Sequence, residues 1–428
     1  MTVTETRFDG LFELNPQTVR CPYETYSQAR EEAPVWAERL NAFVVTRYDD
    51  VVSVLRDATT YSSAMASGPA SVTPLARRIS GDPEASDTLR AHVERRLEIS
   101  RSAVLLNADP PLHVRQRKLV NKGFTARRIA TLEPEVHTIS HDLIDTFIDD
   151  GRVDLVRQFA IKLPMTVIAN ILGVPESMME TFKWWSDSFT VGTGNLNLST
   201  DELDDMFSAV DQFYDYFTGQ VADRRTRPRD DLLTDLVHAR LDGEEPLTLN
   251  EILQMLVQFL VAGNETTTNL LAAVMHTLVT NPGLMARVRN DHTEIRALVE
   301  EVLRLESPVQ GLFRTATTDV EIGGTAIPAG SLLWLVYGSA NRDRSAYPAG
   351  DDLDLEGALS RQHLAFGKGE HFCLGAPLAR MEARIGVETL LSKLADIRLD
   401  CAPHDVKYLP NFVLHGLKAL PLTFHKVV

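Results

Sequence analysis

Phe366-Gly367-Lys368-Gly369-Glu370-His371-Phe372-Cys373-Leu374-Gly375 lies near the C-terminus, and its reading decides how the rest of the chain is understood. Gly367 and Gly369 ahead of the cysteine, and Gly375 after it, free the backbone of Cβ atoms where it must bend or approach a flat partner closely. Ala376 to Ala383 has helix-forming composition, so the Cys373 sulfur is expected close to a helix N-terminus, where amide dipoles favour a thiolate. On these residues alone two readings stay open, a thiolate ligand and an ordinary buried cysteine behind a glycine-rich turn. Zinc and iron–sulfur sites fit less well. They need about four ligands, and Cys21, Cys373 and Cys401 are the chain's only cysteines, spaced unlike any metal finger.

The chain has 428 residues, for which a prior of roughly 100 to 200 residues per domain would suggest two or three domains. An apolar fraction of 44% and a charged fraction of 24% belong to a soluble globular protein. The formal net charge of −16 argues against a general nucleic-acid binder. Against that background, His113 to Arg128 carries Arg115, Arg117, Lys118, Lys122, Arg127 and Arg128 and no acid, a local basic surface suited to an acidic macromolecular partner. Met1 to Gly10 is polar, without a signal-peptide core, and the cysteines give no disulfide framework, so a reducing, cytoplasmic setting is expected.

Val35-Trp36-Ala37 and Phe43-Val44-Val45-Thr46 read as an antiparallel hairpin, followed by a short helix through Asp49 to Asp57. Ser62 to Leu106 is rich in Ser, Gly, Pro and Ala, with one helical island around Leu89 to Leu97. It reads as a long functional loop, a lid over the substrate entrance. Asp109-Pro110-Pro111 starts a helix that puts His113 and Arg117 on one face at i,i+4. Leu132 to Asp242 reads as amphipathic helices interrupted at Gly151, Pro175 and the Gly192-Thr193-Gly194-Asn195 turn, with the Arg224 to Arg229 run as a solvated face. Thr248-Leu249-Asn250-Glu251 is a capping box opening a long apolar helix from Ile252 to about Val279. Gln258, Asn264, Glu265 and the threonines from Thr266 make it a central helix rather than a membrane span. Glu294 to Glu306 is a further helix containing Glu301-Val302-Leu303-Arg304, and Val320 to Ile327 and Ser331 to Tyr337 read as strands.

The cysteine loop resembles the haem-ligating loop of the cytochrome P450 monooxygenases of the bacterial, soluble type, Phe-Gly-x-Gly-x-His-x-Cys-x-Gly, with every fixed position present. Ala262-Gly263-Asn264-Glu265-Thr266-Thr267 resembles the family's oxygen-activation motif, Glu301 and Arg304 its Glu-x-x-Arg pair, and His113 and Arg117 its propionate-binding pair, all in family order. The resemblance covers essentially the whole chain. It implies one domain over 1–428, mainly α (α+β), a helical bundle around haem with a small β-rich part. It assigns Cys373 as the iron ligand; His113, Arg117, Arg314, His371, Phe366, Gly367, Ala262 and Gly375 to the haem (haem b, iron protoporphyrin IX); Thr266 and Glu265 to proton relay; and Glu301 with Arg304 to a buried structural pair. Val261, Ala262, Val309, Leu312, Phe313 and Leu414 are the implied pocket residues, all apolar, which suits a hydrophobic molecule such as a terpenoid, steroid or polyketide. Two departures stand out: Leu353-Asp354-Leu355-Glu356-Gly357 replaces the usual Phe-Asp-x-x-Arg, and His415 stands in the final hairpin where Arg is common.

An axial thiolate pushes electron density toward iron and favours O–O cleavage. Because the chain has no Gly-x-Gly-x-x-Gly fingerprint, electrons are expected from NAD(P)H through a ferredoxin or flavodoxin and its reductase, docking on Arg115, Lys118, Lys122 and Lys368. A peroxide-driven haem-thiolate enzyme, and a haem-binding sensor or carrier without turnover, are the alternatives to hydroxylation or epoxidation with O2.

Overall fold

The computed structural model describes residues 8–32, 34–69, 72–83, 85–99, 101–191, 194, 198–357 and 362–427. Among the described residues it is mainly helical, with ten short strands in three sheets. β1 (Val35–Ala37), β2 (Ala42–Val45), β3 (Tyr61–Ser62), β5 (Gly311–Ala316) and β8 (Leu332–Val336) form one sheet in the order β1-β2-β8-β5-β3. β4 (Arg152–Asp154), β9 (Leu394–Leu399) and β10 (Pro421–Lys426) form a second in the order β4-β10-β9, and β6 (Val320–Ile322) pairs with β7 (Thr325–Ile327). β1 and β2 make the expected antiparallel hairpin, in register Val35 to Val44. Asn41 closes it at φ 48°, a left-handed conformation that Asn tolerates.

The central helix is Leu249–Thr280. Its capping box is complete: the Glu251 amide donates to Thr248 Oγ1 at 3.2 Å, and the Thr248 amide donates to Glu251 Oε2 at 2.8 Å. Such a cap stabilises a helix by about 1 kcal/mol. Two apolar cores share this helix. Ile252 to Leu260 packs with Phe182, Trp185, Phe213 and Leu236, while Leu270 to Leu278 packs with Leu298, Val302, Ile385 and Leu390. The second core joins the central helix to Ile295–Glu306 and to Ala376–Lys393, the helix that follows the cysteine loop. No helix among the described residues is long and apolar enough to cross a membrane.

Four expectations change. The stretch from Ser62 to Leu106 is not mainly loop, for it holds two helices, Val72–Ser80 and Asp87–Ile99. Leu75, Ile79, Leu89 and Val93 bury themselves against Leu203, Met206 and Phe207 of the long helix Thr200–Thr226, and His92 Nδ1 lies 2.5 Å from Asp211 Oδ2. Tertiary burial overrides the turn-rich composition there. Gly311–Ala316 is a strand that the sequence reading passed over, paired along its length with β8. After β8 the chain turns into a short helix at Tyr337–Ala340 rather than staying extended to Tyr337. Finally, the Arg224 to Arg229 run is not wholly solvated. Arg224 is fully buried and forks onto Asp231 Oδ2 through Nε (2.9 Å) and Nη2 (2.8 Å). Of the turn expected at 192–195, only Gly194 lies within the described residues, at φ +69°.

Candidate active site

The Cys373 loop is a tight turn locked by its own backbone. The Gly367 amide donates to Leu364 O at 2.8 Å, the Phe372 amide to Gly369 O at 3.1 Å, and the Cys373 amide to Phe366 O at 2.9 Å. Gly369 sits at φ +74° with its Cα against Leu55 O, so a Cβ there would collide with backbone. Cys373 follows this turn and precedes the helix Ala376–Lys393, and the Gly375 and Ala376 amides donate to its sulfur. The expected lowering of the thiol pKa is overturned for the protein alone. Burial pushes the Cys373 thiol up, outweighing the Gly375 and Ala376 amides and the Arg117 and Arg380 charges, which favour the thiolate. A bound cation would reverse that balance.

Four donor side chains converge beside the loop. The His113 and His371 rings lie 4.0 Å apart, and His371 Nε2 is 3.0 Å from Ser63 Oγ. Arg117 donates through Nη2 to Phe372 O at 2.9 Å, and Arg314, buried, donates to its neighbour's Phe313 O at 2.7 Å. The two arginines and burial disfavour charge on the two rings. Burial, then His113, Arg314 and Arg117, push His371 down to about 3; burial and Arg117 lower His113; burial lowers both arginines. Asp109 is the carboxylate that couples to His113 and Arg314, and it is occupied by the Ser62 hydroxyl (2.5 Å) and the Ser63 amide (2.6 Å). His113 Nδ1 is buried with no hydrogen-bond partner. A donor set with an orphaned ring nitrogen and too little negative charge fits an acidic group such as the haem propionates, and Cys373 beside it fits the iron.

On the central helix, Thr266 Oγ1 donates back to Ala262 O at 2.7 Å. Asn264 Nδ2 donates to Ser186 Oγ at 2.9 Å, tying this turn to the helix Met179–Val191, and Ala262 is exposed. Burial and the nearby Asp187 carboxylate raise Glu265 to about 7, with Lys183 opposing. A carboxyl poised there can both hold and release a proton near neutrality.

The apolar residues do not all come together. Val309 bridges to Leu414, and Leu312 and Arg314 share one face of β5, by the alternation of a strand. Val261 is half-buried one residue before Ala262. Phe313 points the other way. Fully buried, it stacks on Trp334 at 6.3 Å and lies against Gly68, in the same core cluster as the buried Leu414.

Glu301 and Arg304 form a two-pronged pair, Nε to Oε1 and Nη2 to Oε2 both at 2.9 Å, each residue about 2% exposed or less. In place of a second arginine, the backbone closes the network. Arg304 donates to Asn341 O, Gly350 O and Asp352 O, and Glu301 Oε2 accepts from the Asp354 amide at 2.9 Å. The substituted Leu353 to Gly357 stretch contributes the Asp354 amide to the pair, and the carbonyls come from residues that precede it.

The docking expectation also changes for one residue. Arg115 is no free surface charge; its guanidinium pairs with the buried Glu251 and bonds Glu245 O at 2.8 Å. Lys118 is exposed, Lys122 reaches Arg240 O at 2.9 Å, and Lys368 is half-buried. Sequence reasoning missed the group behind Phe366, where Glu300, Arg380 and His363 meet. Glu300 adjoins the Glu-x-x-Arg pair and Arg380 is the fifth residue of the helix Ala376–Lys393, so each resembles an ordinary helix-surface charge in the sequence.

A family model described as Cytochrome P450 matches residues 46–397. The chain is 36% identical to "Cytochrome P450 monooxygenase PikC" of Streptomyces venezuelae, over 95% of this chain and 91% of that one. Among solved structures it resembles cytochrome P450 CYP109Q5 from Chondromyces apiculatus, with a TM-score of 0.83, 35% identity and coverage of 97% of this chain and 98% of that one. It also resembles CYP109E1 from Bacillus megaterium in complex with corticosterone, with a TM-score of 0.79, 31% identity and coverage of 95% and 99%.

Proposed function

The chain belongs to the cytochrome P450 family, and from that premise we propose that it is a haem-thiolate monooxygenase that hydroxylates or epoxidises a hydrophobic small molecule. The observation that supports the site assignment is the meeting of Cys373 with His113, Arg117, Arg314 and His371, an under-compensated donor cluster. In this reading Cys373 would hold the iron, those four side chains would hold the propionates of haem b, and Phe366, Gly367, Gly375 and Ala262 would help to hold the rest of the group. When bound, the haem supplies oxygen activation, which a thiolate ligand favours by promoting O–O cleavage. The Gly375 and Ala376 amides limit the charge on the sulfur through hydrogen bonds. Residues 1–428 are read as one domain, because a single helix supplies side chains to both main cores.

Glu265 and Thr266 govern protons in this reading. Glu265 holds a proton below about pH 7 and releases it above, and the Thr266 hydroxyl, now bonded to Ala262 O, can turn to receive it. Val261, Ala262, Val309, Leu312 and Leu414 offer an apolar surface with few polar groups, suited to a terpenoid, steroid or polyketide; the corticosterone bound by the CYP109E1 relative supports that class. Electrons come from NAD(P)H through a ferredoxin or flavodoxin and its reductase, and the free cysteines Cys21, Cys373 and Cys401 suit a cytoplasmic setting.

Reconstitution with such a redox chain tests the reading directly. Substrate-dependent oxidation of NAD(P)H with one oxygen atom appearing in product is expected. Turnover with peroxide alone, or ligand binding without turnover, would replace the proposal by a peroxide-driven enzyme or a haem sensor. Thr266→Ala is expected to retain haem yet lose most product per electron, with peroxide or water formed instead, since the hydroxyl serves proton delivery and not binding. Glu265→Gln should flatten the parent's change in product yield per electron across about pH 7. Equal yields in Thr266→Ala and parent rule out the relay.

Lys118→Glu tests the docking face. A rim charge mainly sets association rate and its salt dependence, so the variant should be reduced more slowly at low ionic strength, and added salt should slow the parent more than the variant. The same salt response in both moves the docking face elsewhere. Arg115 is excluded from this test by its bond to Glu251.

A further inference from the structure

Behind the cysteine loop lies a charged group that no role above uses. Arg380, on the first turns of the helix Ala376–Lys393, donates through Nε to Glu300 Oε1 at 2.6 Å and through Nη2 to Glu300 Oε2 at 2.9 Å. Its guanidinium carbon lies 4.5 Å from the centre of the Phe366 ring. His363 Nε2 approaches the same carboxylate at 3.3 Å, and the His363 and Phe366 rings lie 5.7 Å apart. His363 Nδ1 accepts the Ala365 amide at 3.2 Å, which turns Nε2 toward Glu300. One carboxylate therefore holds two side chains against the ring of Phe366, whose carbonyl accepts the Cys373 amide at 2.9 Å.

We propose that Glu300 is a positioning residue for the thiolate: it pins Arg380 on Phe366 and screens the guanidinium charge felt by Cys373, and so sets the reduction potential of the bound haem. The physical basis is Coulombic. Arg380 stands on the helix that begins three residues after Cys373, and its guanidinium lies on the ring of the residue whose carbonyl holds the Cys373 amide, so its charge is placed beside the thiolate. Reduction adds one negative charge to the iron–thiolate unit; an uncompensated cation nearby favours that state, and a paired one favours it less. Glu300 is only about 13% exposed, which keeps this screening strong. Although burial alone would raise its pKa, the His363 and Arg380 hydrogen bonds hold the Glu300 carboxyl down to about 2, so the screening charge is present throughout the working pH range.

The proposal rests on Cys373 as iron ligand, and the test separates the two. Holoenzyme is titrated spectroelectrochemically for parent, Glu300→Gln, Arg380→Gln and the double variant, and each reduced protein is examined as its carbonyl complex. Glu300→Gln should shift the reduction equilibrium toward the reduced haem by about tenfold, or 59 mV for one electron. Arg380→Gln should shift it the opposite way, and the double variant should return to within about threefold of the parent, because the two charges act as a unit. Glu300→Asp, which keeps the charge, should restore the parent value to within the same margin. Loss of packing alone would move both single variants in one direction. Shifts in the same direction, or shifts below about threefold in both, overturn the proposal. Should Glu300→Gln fail to incorporate haem, the partly exposed Arg380 still provides a decisive arm: no shift in Arg380→Gln overturns it. A parent without the red-shifted carbonyl band overturns the ligand assignment and the proposal together, whereas a parent with that band and unmoved potentials overturns the proposal alone.

Discussion

Cys373→His is expected to reduce substrate oxidation to background while the red-shifted carbonyl absorption of thiolate-ligated haem disappears from the reduced protein. The glycine-flanked loop holds the sulfur by three backbone hydrogen bonds that do not involve its side chain, so the turn should survive the substitution. What changes is the ligand. Imidazole is neutral and donates less electron density than a thiolate, and O–O cleavage depends on that donation. Cys373→Ser should lose activity as well, since a hydroxyl does not ionise at working pH. The spectrum decides the matter independently of turnover: a variant that keeps the red-shifted band shows that another residue carries the iron. Cys21 is exposed and Cys401 sits between β9 and β10, so neither is placed to substitute.

Arg304→Ala is expected to destabilise the fold by about 3 to 5 kcal/mol, the usual cost of leaving one member of a buried ion pair uncompensated. Glu301 would then be a buried carboxylate with only the Asp354 amide to answer it, and the carbonyls of Asn341, Gly350 and Asp352 would lose their donor. These carbonyls and the amide belong to the segment between β8 and the cysteine loop, so haem retention should fall along with the unfolding midpoint. Denaturant titration of parent and variant measures the first effect, and the haem-to-protein ratio after purification measures the second. The double substitution Glu301→Leu/Arg304→Leu should cost less than Arg304→Ala, because no unpaired charge remains. A loss below about 1 kcal/mol in Arg304→Ala would place the pair among the weak surface bridges, which the burial of both residues argues against.

Legibility followed the range of the interactions concerned. The capping box at Thr248 and Glu251, the hairpin at Val35 to Val45 and the helix after Cys373 were readable because each is decided by residues within a few positions of one another. His113 and Arg117 shared a helix face by spacing alone, but that they meet His371 and Arg314, and that His113 Nδ1 is left without a partner, depends on chain segments far apart. The helix Val72–Ser80 escaped notice because the Ser-, Gly- and Pro-bearing residues before it give a loop signal, while Leu75 and Ile79 are buried against Leu203 and Phe207. Phe313 was expected in the pocket from the family resemblance; the register of β5 against β8 turned it into the core.

The sequence by itself determined the glycine-flanked cysteine loop and the mainly helical class, since those follow from local backbone demands and hydrophobic period, while the roles proposed for Cys373, Glu265 and Thr266 rest on the likeness of their motifs to those of the family. Only the tertiary structure decided which charges are free. Arg115 is neutralised by Glu251, Arg224 by Asp231, Arg304 by Glu301 and main-chain carbonyls, and Arg380 by Glu300, whereas Lys118 stays in solvent. A charge in the sequence has no fixed worth, because its effect depends on burial and on the partner brought beside it, and both are set when distant segments pack.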